Sequence, residues 1–349
     1  MPGSASPASP KGTRFHESCN RSPEGSRLRR TAHRASPGAP IVKVALLAGG
    51  TGGAKLAAGM QDVVGDELDV IANTGDDIEA LGVYVSPDPD LVTYWLAGQI
   101  DQLRGWGIKD DTFNVFKRMT TFGAPDWFSL SDLDLAACLY RRDFVTEGGR
   151  LTDAQAQIGR GLGIAARVLP MSDQPVRTRI MSSGSWRGLQ EYLILEGGAA
   201  EVEGVELEGI AEAEPTPEVL AAIAEAELIV IGPSNPVISI GPILAVPGIR
   251  DAIIEASAPV VAVSPYVAGK VVKGPTDLFM KAIGRSTTAA GVASLYEGII
   301  EAMICDADDP DPAPTGVRAF SASTLMHSTE SRQTVARGVL KVGLQLAET

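Results

Sequence analysis

The sequence predicts an α/β fold in which a parallel sheet lies between two layers of helices, and three observations carry that prediction. Val42 to Ala48 is an apolar, β-branched-rich run that stops at Gly49-Gly50-Thr51-Gly52-Gly53 and continues into a helix start at Ala54 to Met60. The same strand, tight loop and helix order returns at Leu228 to Ile231, followed by Gly232-Pro233-Ser234-Asn235-Pro236 and the helical turn Ser239 to Leu244. Between and after these, short apolar runs alternate with helical stretches, the order that produces parallel strands with crossover helices. A chain of 349 residues, 44% hydrophobic, is long enough for one large domain of this kind or two smaller ones.

Residues 1–40 are rich in Ser, Pro, Gly and Arg, with seven basic residues against two acidic ones. They hold almost nothing to bury, so the expectation is a disordered basic extension or the product of a misassigned start. Removing their net +5 from the whole-chain charge of −13 leaves −18 on residues 41–349, read as a single domain with an insertion around 91–210. That charge argues against a nucleic-acid surface. No run reaches membrane-spanning length. The cysteines, Cys19, Cys138 and Cys305, lack metal or disulfide spacing, which suits a reducing, cytoplasmic setting. Only His327 of three histidines lies beyond the extension, so triads and histidine-ligated zinc are poor candidates, and carboxylates and backbone amides are left to carry the chemistry.

The glycine loop is the first such feature. Glycines at 49, 50, 52 and 53 permit positive φ and leave no Cβ between the backbone amides and a phosphate, which a helix N-terminus also attracts. Gly50, Thr51, Gly52 and Gly53 are therefore candidate ligand contacts. The loop matches neither the P-loop nor the dinucleotide fingerprint, since Ala54 precedes Lys55, no Ser or Thr follows it, and Lys55 stands where the third glycine belongs.

Leu68 to Asn73 reads as the second strand, with Thr74-Gly75-Asp76-Asp77 at its carboxyl end, where open α/β sheets bind ligands. Adjacent carboxylates beside a phosphate loop repel each other unless a cation intervenes, and hard oxygen ligands suit Mg²⁺. Ser86-Pro87-Asp88-Pro89-Asp90 adds a second acidic cluster. Helix capping is a compatible alternative, with Asp77 preceding Ile78 to Leu81 and Asp90 preceding Leu91 to Ile100.

Helices are expected from Leu91 to Arg104, Thr112 to Thr120, Ser131 to Gly148 and Thr152 to Gly163. Gly105-Trp106-Gly107 between the first two reads equally as a wall for a planar ligand or as a packed turn. Arg177 to Ser182 and Gln190 to Leu195 look like short β runs of an inserted substructure. A helix capped at Thr216-Pro217, strands at Leu228 to Ile231, Pro259 to Val263, Ala302 to Cys305 and Val317 to Ala322, and helices at Ala289 to Ile300 and Thr329 to Leu346 complete the pattern. The whole is a Rossmann-like three-layer parallel sheet with helical and small β insertions. Two strand-end loops on one edge imply a ligand with two ends, with Ser234 and Asn235 offering a hydroxyl and an amide to one of them.

Taken together, L-A-G-G-T-G-G-A-K at Leu47 to Lys55, N-T-G-D-D at Asn73 to Asp77, S-P-D-P-D at Ser86 to Asp90, G-W-G-I-K-D-D-T at Gly105 to Thr112, P-M-S-D at Pro170 to Asp173, and G-P-S-N-P with S-I-G-P-I-L at Gly232 to Leu244 closely resemble the 2-phospho-L-lactate transferase family of coenzyme F420 biosynthesis. Order and spacing match from about Ile41 to Leu346. The resemblance implies transfer of a phosphorylated three-carbon acid (2-phospholactate, phosphoenolpyruvate or 3-phosphoglycerate) from a guanosine diphosphate conjugate to the ribityl hydroxyl of the deazaflavin FO, releasing GMP, by a homodimer. It further implies that Asp77 and Lys109 contact the deazaflavin, that Asp76, Asp77 and Asp88 are the pool for Mg²⁺, and that Asp77 and Asp88 serve the chemistry. Sugar-nucleotide-binding regulators of carbon metabolism share a related glycine loop and acidic loop, but Gly232 to Pro236 together with Gly105 to Gly107 favours the transferase.

Overall fold

The computed structural model describes residues 42–311 and 313–348, so the basic extension lies outside the described residues. In chain order the elements are β1 (Val44–Ala48), α1 (Gly50–Val64), β2 (Leu68–Ala72), β3 (Ile78–Ala80), β4 (Val83–Val85), α2 (Pro87–Leu96), α3 (Asn114–Thr121), α4 (Asp132–Thr146) and α5 (Leu151–Leu162). There follow β5 (Arg167–Pro170), β6 (Arg177–Ser182), β7 (Ser185–Gly188), α6 (Leu189–Leu195), β8 (Gly204–Glu208), α7 (Pro217–Ala224), β9 (Leu228–Ile231), α8 (Ile240–Ala245) and α9 (Ile249–Glu255). The chain ends through β10 (Val260–Val263), β11 (Tyr266–Val267), β12 (Lys270–Val271), α10 (Thr276–Ala282), α11 (Ala289–Leu295), β13 (Ala302–Asp306), β14 (Arg318–Ala322) and α12 (Thr329–Ala347).

Seven strands form one parallel sheet in the order β14-β13-β10-β9-β1-β2-β5. Because the chain winds outward from β1 in both directions, the crevice opens at the carboxyl ends of β1, β2 and β9, as ligand sites do in such sheets. Strand alternation divides the core. Val44, Leu46 and Ala48 pack with α1, α2 and α12, whereas Ala45 and Leu47 pack with α7, α8, α9 and α11. All five β1 residues are buried, as expected of a strand covered on both faces. One charge is taken into this interior. Asp69 in β2 is met by both arms of Arg167, its register partner on edge strand β5, at 2.5 Å each, a fork that offsets the desolvation of the carboxylate.

The α/β reading and its main strands stand, and several local readings do not. Gln190 to Leu195 is helix α6, not β: the Glu191 carboxylate accepts from the Gly188 amide at 2.9 Å, and Leu189 and Tyr192 bury one helical face. Ile78 to Leu81 enters the hairpin β3–β4, so Asp77 caps no helix. Helix α2 starts at Pro87 and ends at Leu96, which puts Asp88 and Asp90 inside its first turn with Ser86 at the N-cap position. Helix α11 stops at Leu295. Strand β5 was not foreseen. It belongs to the central sheet and falls within 91–210, the span read as an insertion.

Candidate functional site

A cavity of about 810 Å³ opens at this sheet edge. One side is backbone. Gly50 has φ +58°, which a β-carbon would strain, while Gly49 is extended at φ −148° and is required for a different reason. A Cβ on Gly49 would meet Asp88 at 2.6 Å, one on Gly52 would meet the Pro233 carbonyl at 2.1 Å, and one on Gly53 would meet Ser234 at 2.4 Å. The two glycine-bearing loops are thus pressed together, and Ser234 Oγ donates to the Gly49 carbonyl and accepts from the Gly49 amide. Gly50, Thr51, Gly52, Ser234 and Asn235 line the cavity, whereas Gly53 serves the packing beneath it. Asn235 closes its own turn, its side-chain oxygen accepting from the Val237 and Ile238 amides at 2.9 and 3.2 Å.

The acidic loops meet above the glycines. Asn73 Nδ2 donates to Asp76 and to Asp88 at 2.9 Å each, so one amide holds two buried carboxylates side by side. Asp88 also accepts from the Gly50 amide at 2.6 Å. Burial, followed by the neighbouring Asp88 charge, holds the Asp76 carboxyl well above its ordinary range, and burial raises Asp88 against the opposing bonds from Asn73 and Gly50. Such a pair offers a hard, oxygen-rich donor set whose mutual repulsion a divalent cation would relieve, and it fits Mg²⁺.

Asp77, adjacent in sequence, faces elsewhere. Its two oxygens accept from Tyr84 and Ser86 at 2.8 Å each, and it lines a smaller neighbouring pocket with Arg177. Burial lifts its carboxyl to about 7. The two pockets share Asp76, Trp127 and Gln190 as lining. Lys109 is not among the residues that line either one. It is exposed, and its ammonium donates to the Gly98 carbonyl at 3.0 Å.

The opposite side of the cavity is apolar and aromatic. Trp106 stands edge-on to Phe113 with ring centroids 6.2 Å apart, and Arg104 stacks over both rings. Trp127, Phe128, Leu193, Ile194, Val272 and Leu325 continue this wall from four separate segments. Sequence reading singled out Trp106 alone, because side chains so far apart along the chain share no local signal. Also at the cavity, which Asp90 and Asp134 help to line, Asp90, Asp134 and Cys138 place possible ligand atoms within 4.8 Å of one another. The cluster is occupied from within: the buried Arg141 guanidinium pairs with Asp90, and Tyr94 donates to Asp134 at 2.8 Å, tying α2 to α4.

Comparison with known proteins accords with this geometry. Residues 44–338 match the family model described as 2-phospho-L-lactate transferase CofD. The chain is 39% identical over 304 residues to the 2-phospho-L-lactate transferase of Methanosarcina barkeri, covering 86% of this chain and 97% of that one. It is also 39% identical over 317 residues to the phosphoenolpyruvate transferase of Kitasatospora aureofaciens, covering 87% and 99%. A crystal structure of a UPF0052 family protein from Bacillus halodurans shares the fold, with a TM-score of 0.59 at 17% identity over 87% of this chain and 100% of that one. No described helix is long and apolar enough to cross a membrane. The family match decides between a transferase and a ligand-sensing regulator: the chain belongs to the 2-phospho-L-lactate transferase CofD family and is an enzyme of the transferase class.

Proposed function

We propose that this transferase moves a phosphorylated three-carbon acid from its guanosine diphosphate conjugate to the ribityl hydroxyl of the deazaflavin FO, releasing GMP, as a step of coenzyme F420 biosynthesis. The observation that carries this reading is a single cavity with a backbone-and-carboxylate edge on one side and an aromatic wall on the other. A nucleotide diphosphate suits the first and a tricyclic ring suits the second.

The acceptor hydroxyl oxygen attacks the phosphorus that carries the acid, the bond from that phosphorus to the bridging oxygen breaks, and GMP leaves with the electron pair. Chemistry of this kind is served mainly by positioning and charge, which explains how the site works without histidine. Asp76 and Asp88 would hold Mg²⁺, with Asn73 keeping both carboxylates in place. When bound, the ion neutralises diphosphate charge and stabilises the charge developing on the leaving group. Asp77 has the proton affinity of a general base but lines the neighbouring pocket instead of the cavity, held there by Tyr84 and Ser86, so we assign it to fixing the 74–78 loop. A buried carboxylate at the edge, Asp88 being our choice, takes the hydroxyl proton. Trp106 and Trp127 flank the ring. A cytoplasmic homodimer remains part of this reading, and sedimentation velocity checks the dimer.

Relatives named for 2-phospholactate and for phosphoenolpyruvate transfer are equally identical to this chain, so identity does not select the acid. The test is incubation with FO, Mg²⁺ and each guanylylated acid, with the product weighed by mass spectrometry. Formation of an FO–phosphoacid adduct and GMP in equal amounts supports the reading. Absence of an adduct with all three donors refutes it.

A further inference from the structure

The donor is polyanionic, and the protein that must bind it carries a net charge of −13. Cations facing the cavity are therefore informative. Among the described residues that line it, two are basic. Lys55 reaches it from the second turn of α1, and Lys273 from the loop between β12 and α10.

Neither has an acidic partner. Lys55 makes no hydrogen bond or ion pair with any described residue and lies 5.7 Å from the Trp95 ring centroid. Lys273 donates one bond, at 3.2 Å, to the neutral carbonyl of Gly105. In a protein with an excess of carboxylates, long side chains on the surface pair readily, yet these two ammonium groups, Lys55 partly buried and Lys273 exposed, have no carboxylate partner beside the same space. Burial lowers the proton affinity of both, and for Lys55 the Arg332 charge and then the Lys273 charge lower it further. Two like charges facing one cavity, with hydrogen-bonding capacity unspent, are relieved by an oxyanion placed between them.

The Lys273 contact adds a second element. Its bond to Gly105 joins the segment that follows the β11–β12 hairpin to the loop that carries Trp106, two segments that both line the cavity. A charged oxygen is a stronger acceptor for an ammonium group than a peptide carbonyl. An arriving anion would draw Lys273 off Gly105 while keeping the two segments close.

We propose that Lys55 and Lys273 form a two-ammonium site for the phosphate oxygens of the donor, and that Lys273 is a positioning residue for the transferred group. The inference rests on the donor class proposed above. It names chemistry that the glycine loop cannot supply alone, since the Gly50 amide is already committed to Asp88.

The experiment uses the full-length chain, inorganic pyrophosphate as the anion probe and FO as the control ligand, in isothermal titration with Mg²⁺ present. Lys273→Met and Lys55→Met are each expected to weaken pyrophosphate binding roughly 10- to 100-fold, the loss of one charge-assisted bond. The double variant should lose less than the product of the two, because both groups hold one ligand. Lys273→Arg should recover most of the affinity. FO affinity should stay within about twofold and the melting temperature unchanged, readouts that a merely structural lysine would not separate. In turnover, Lys273→Met should raise the donor KM more than it lowers kcat.

Unaltered pyrophosphate affinity in Lys273→Met overturns the proposal, as does an equal loss of FO affinity or strict additivity in the double variant. If wild-type protein transfers no acid to FO but pyrophosphate binding still depends on Lys273, the functional reading fails and the anion site stands. If transfer proceeds and Lys273→Met is indistinguishable from wild type, the anion site fails alone.

Discussion

The two sides of the cavity are built on different principles. At the sheet edge, Gly49, Gly52 and Gly53 touch Asp88, Pro233 and Ser234 so closely that a single added carbon has nowhere to go. Across the cavity, Trp106, Ile194, Val272 and Leu325 come from separate segments and remain 40 to 60% exposed, their apolar faces turned to an open space. The edge is shaped before any ligand arrives, by backbone against backbone, and it can hold charge in a fixed place. The wall is made of large side chains with room around them, and a flat ring would bury what they leave uncovered.

That contrast is open to attack at several points. Gly52→Ala strikes the edge hardest, since its Cβ would stand 2.1 Å from the Pro233 carbonyl, part of a second loop that cannot swing away like a side chain. We expect a loss of about 1–3 kcal/mol or more in stability and near-complete loss of turnover, measured by thermal unfolding and product formation. A variant with unchanged Tm would show that the loops are not locked.

Asp88→Asn comes next. It removes a charge from the carboxylate pair while keeping the size of the side chain, and kcat should fall by at least about 10²-fold, with a parallel loss of Mg²⁺ affinity. Asp77→Asn should leave Mg²⁺ affinity intact, because Asp77 lines the other pocket. Activity that survives exhaustive EDTA would remove the metal from the account.

The wall should respond through the acceptor alone. Trp106→Ala is expected to raise the FO KM roughly tenfold with little change in Tm, as the ring is 41% exposed in the absence of ligand. A matching rise in donor KM would mean that the two sides are not separate.

The acidity of the edge sets a pH dependence. Burial raises the Asp76 and Asp88 carboxyls, so the stability linked to their protonation is fully present below the ordinary carboxylate range and is lost as pH rises through the raised values. Mg²⁺ competes with those protons. Its stabilising effect should therefore be small at pH 5 and larger at pH 8, reaching about 2.7 kcal/mol at a hundredfold excess over Kd. Equal gains in Tm at the two pH values would contradict the assignment. Smallest of all should be Lys109→Ala, which lies off the cavity: a shift of less than about twofold in either KM fits its bond to Gly98, and a large shift would restore it to the site.

Much of the edge could be read without coordinates. Strands β1, β2 and β9 are continuous apolar runs because both faces are covered, and their polar, glycine-rich termini mark the crevice of any doubly wound sheet. The pairing of Asn73-Thr74-Gly75-Asp76-Asp77 with Ser86 to Asp90 was legible for the same reason, and so was the transferase family.

What local pattern could not reveal was direction. Asp76 and Asp77 are neighbours of one type, yet Asn73 turns the first into the cavity, while the β3–β4 hairpin brings Tyr84 and Ser86 to claim the second. Helix α6 escaped notice because its alternation is short and its cap is a glutamate that reaches back to a glycine. Lys273 gave no signal, since an isolated lysine after a hairpin looks like any solvated charge. It becomes distinctive when the fold sets it beside Lys55 without a carboxylate. Periodicity and glycine placement are properties of adjacent residues and survive in a linear string. The environment of a charge depends on which groups the fold turns toward it, 7 and 9 positions away for Asp77 and 168 for Lys273, and that was settled when the sheet closed its edge and the loops packed against it.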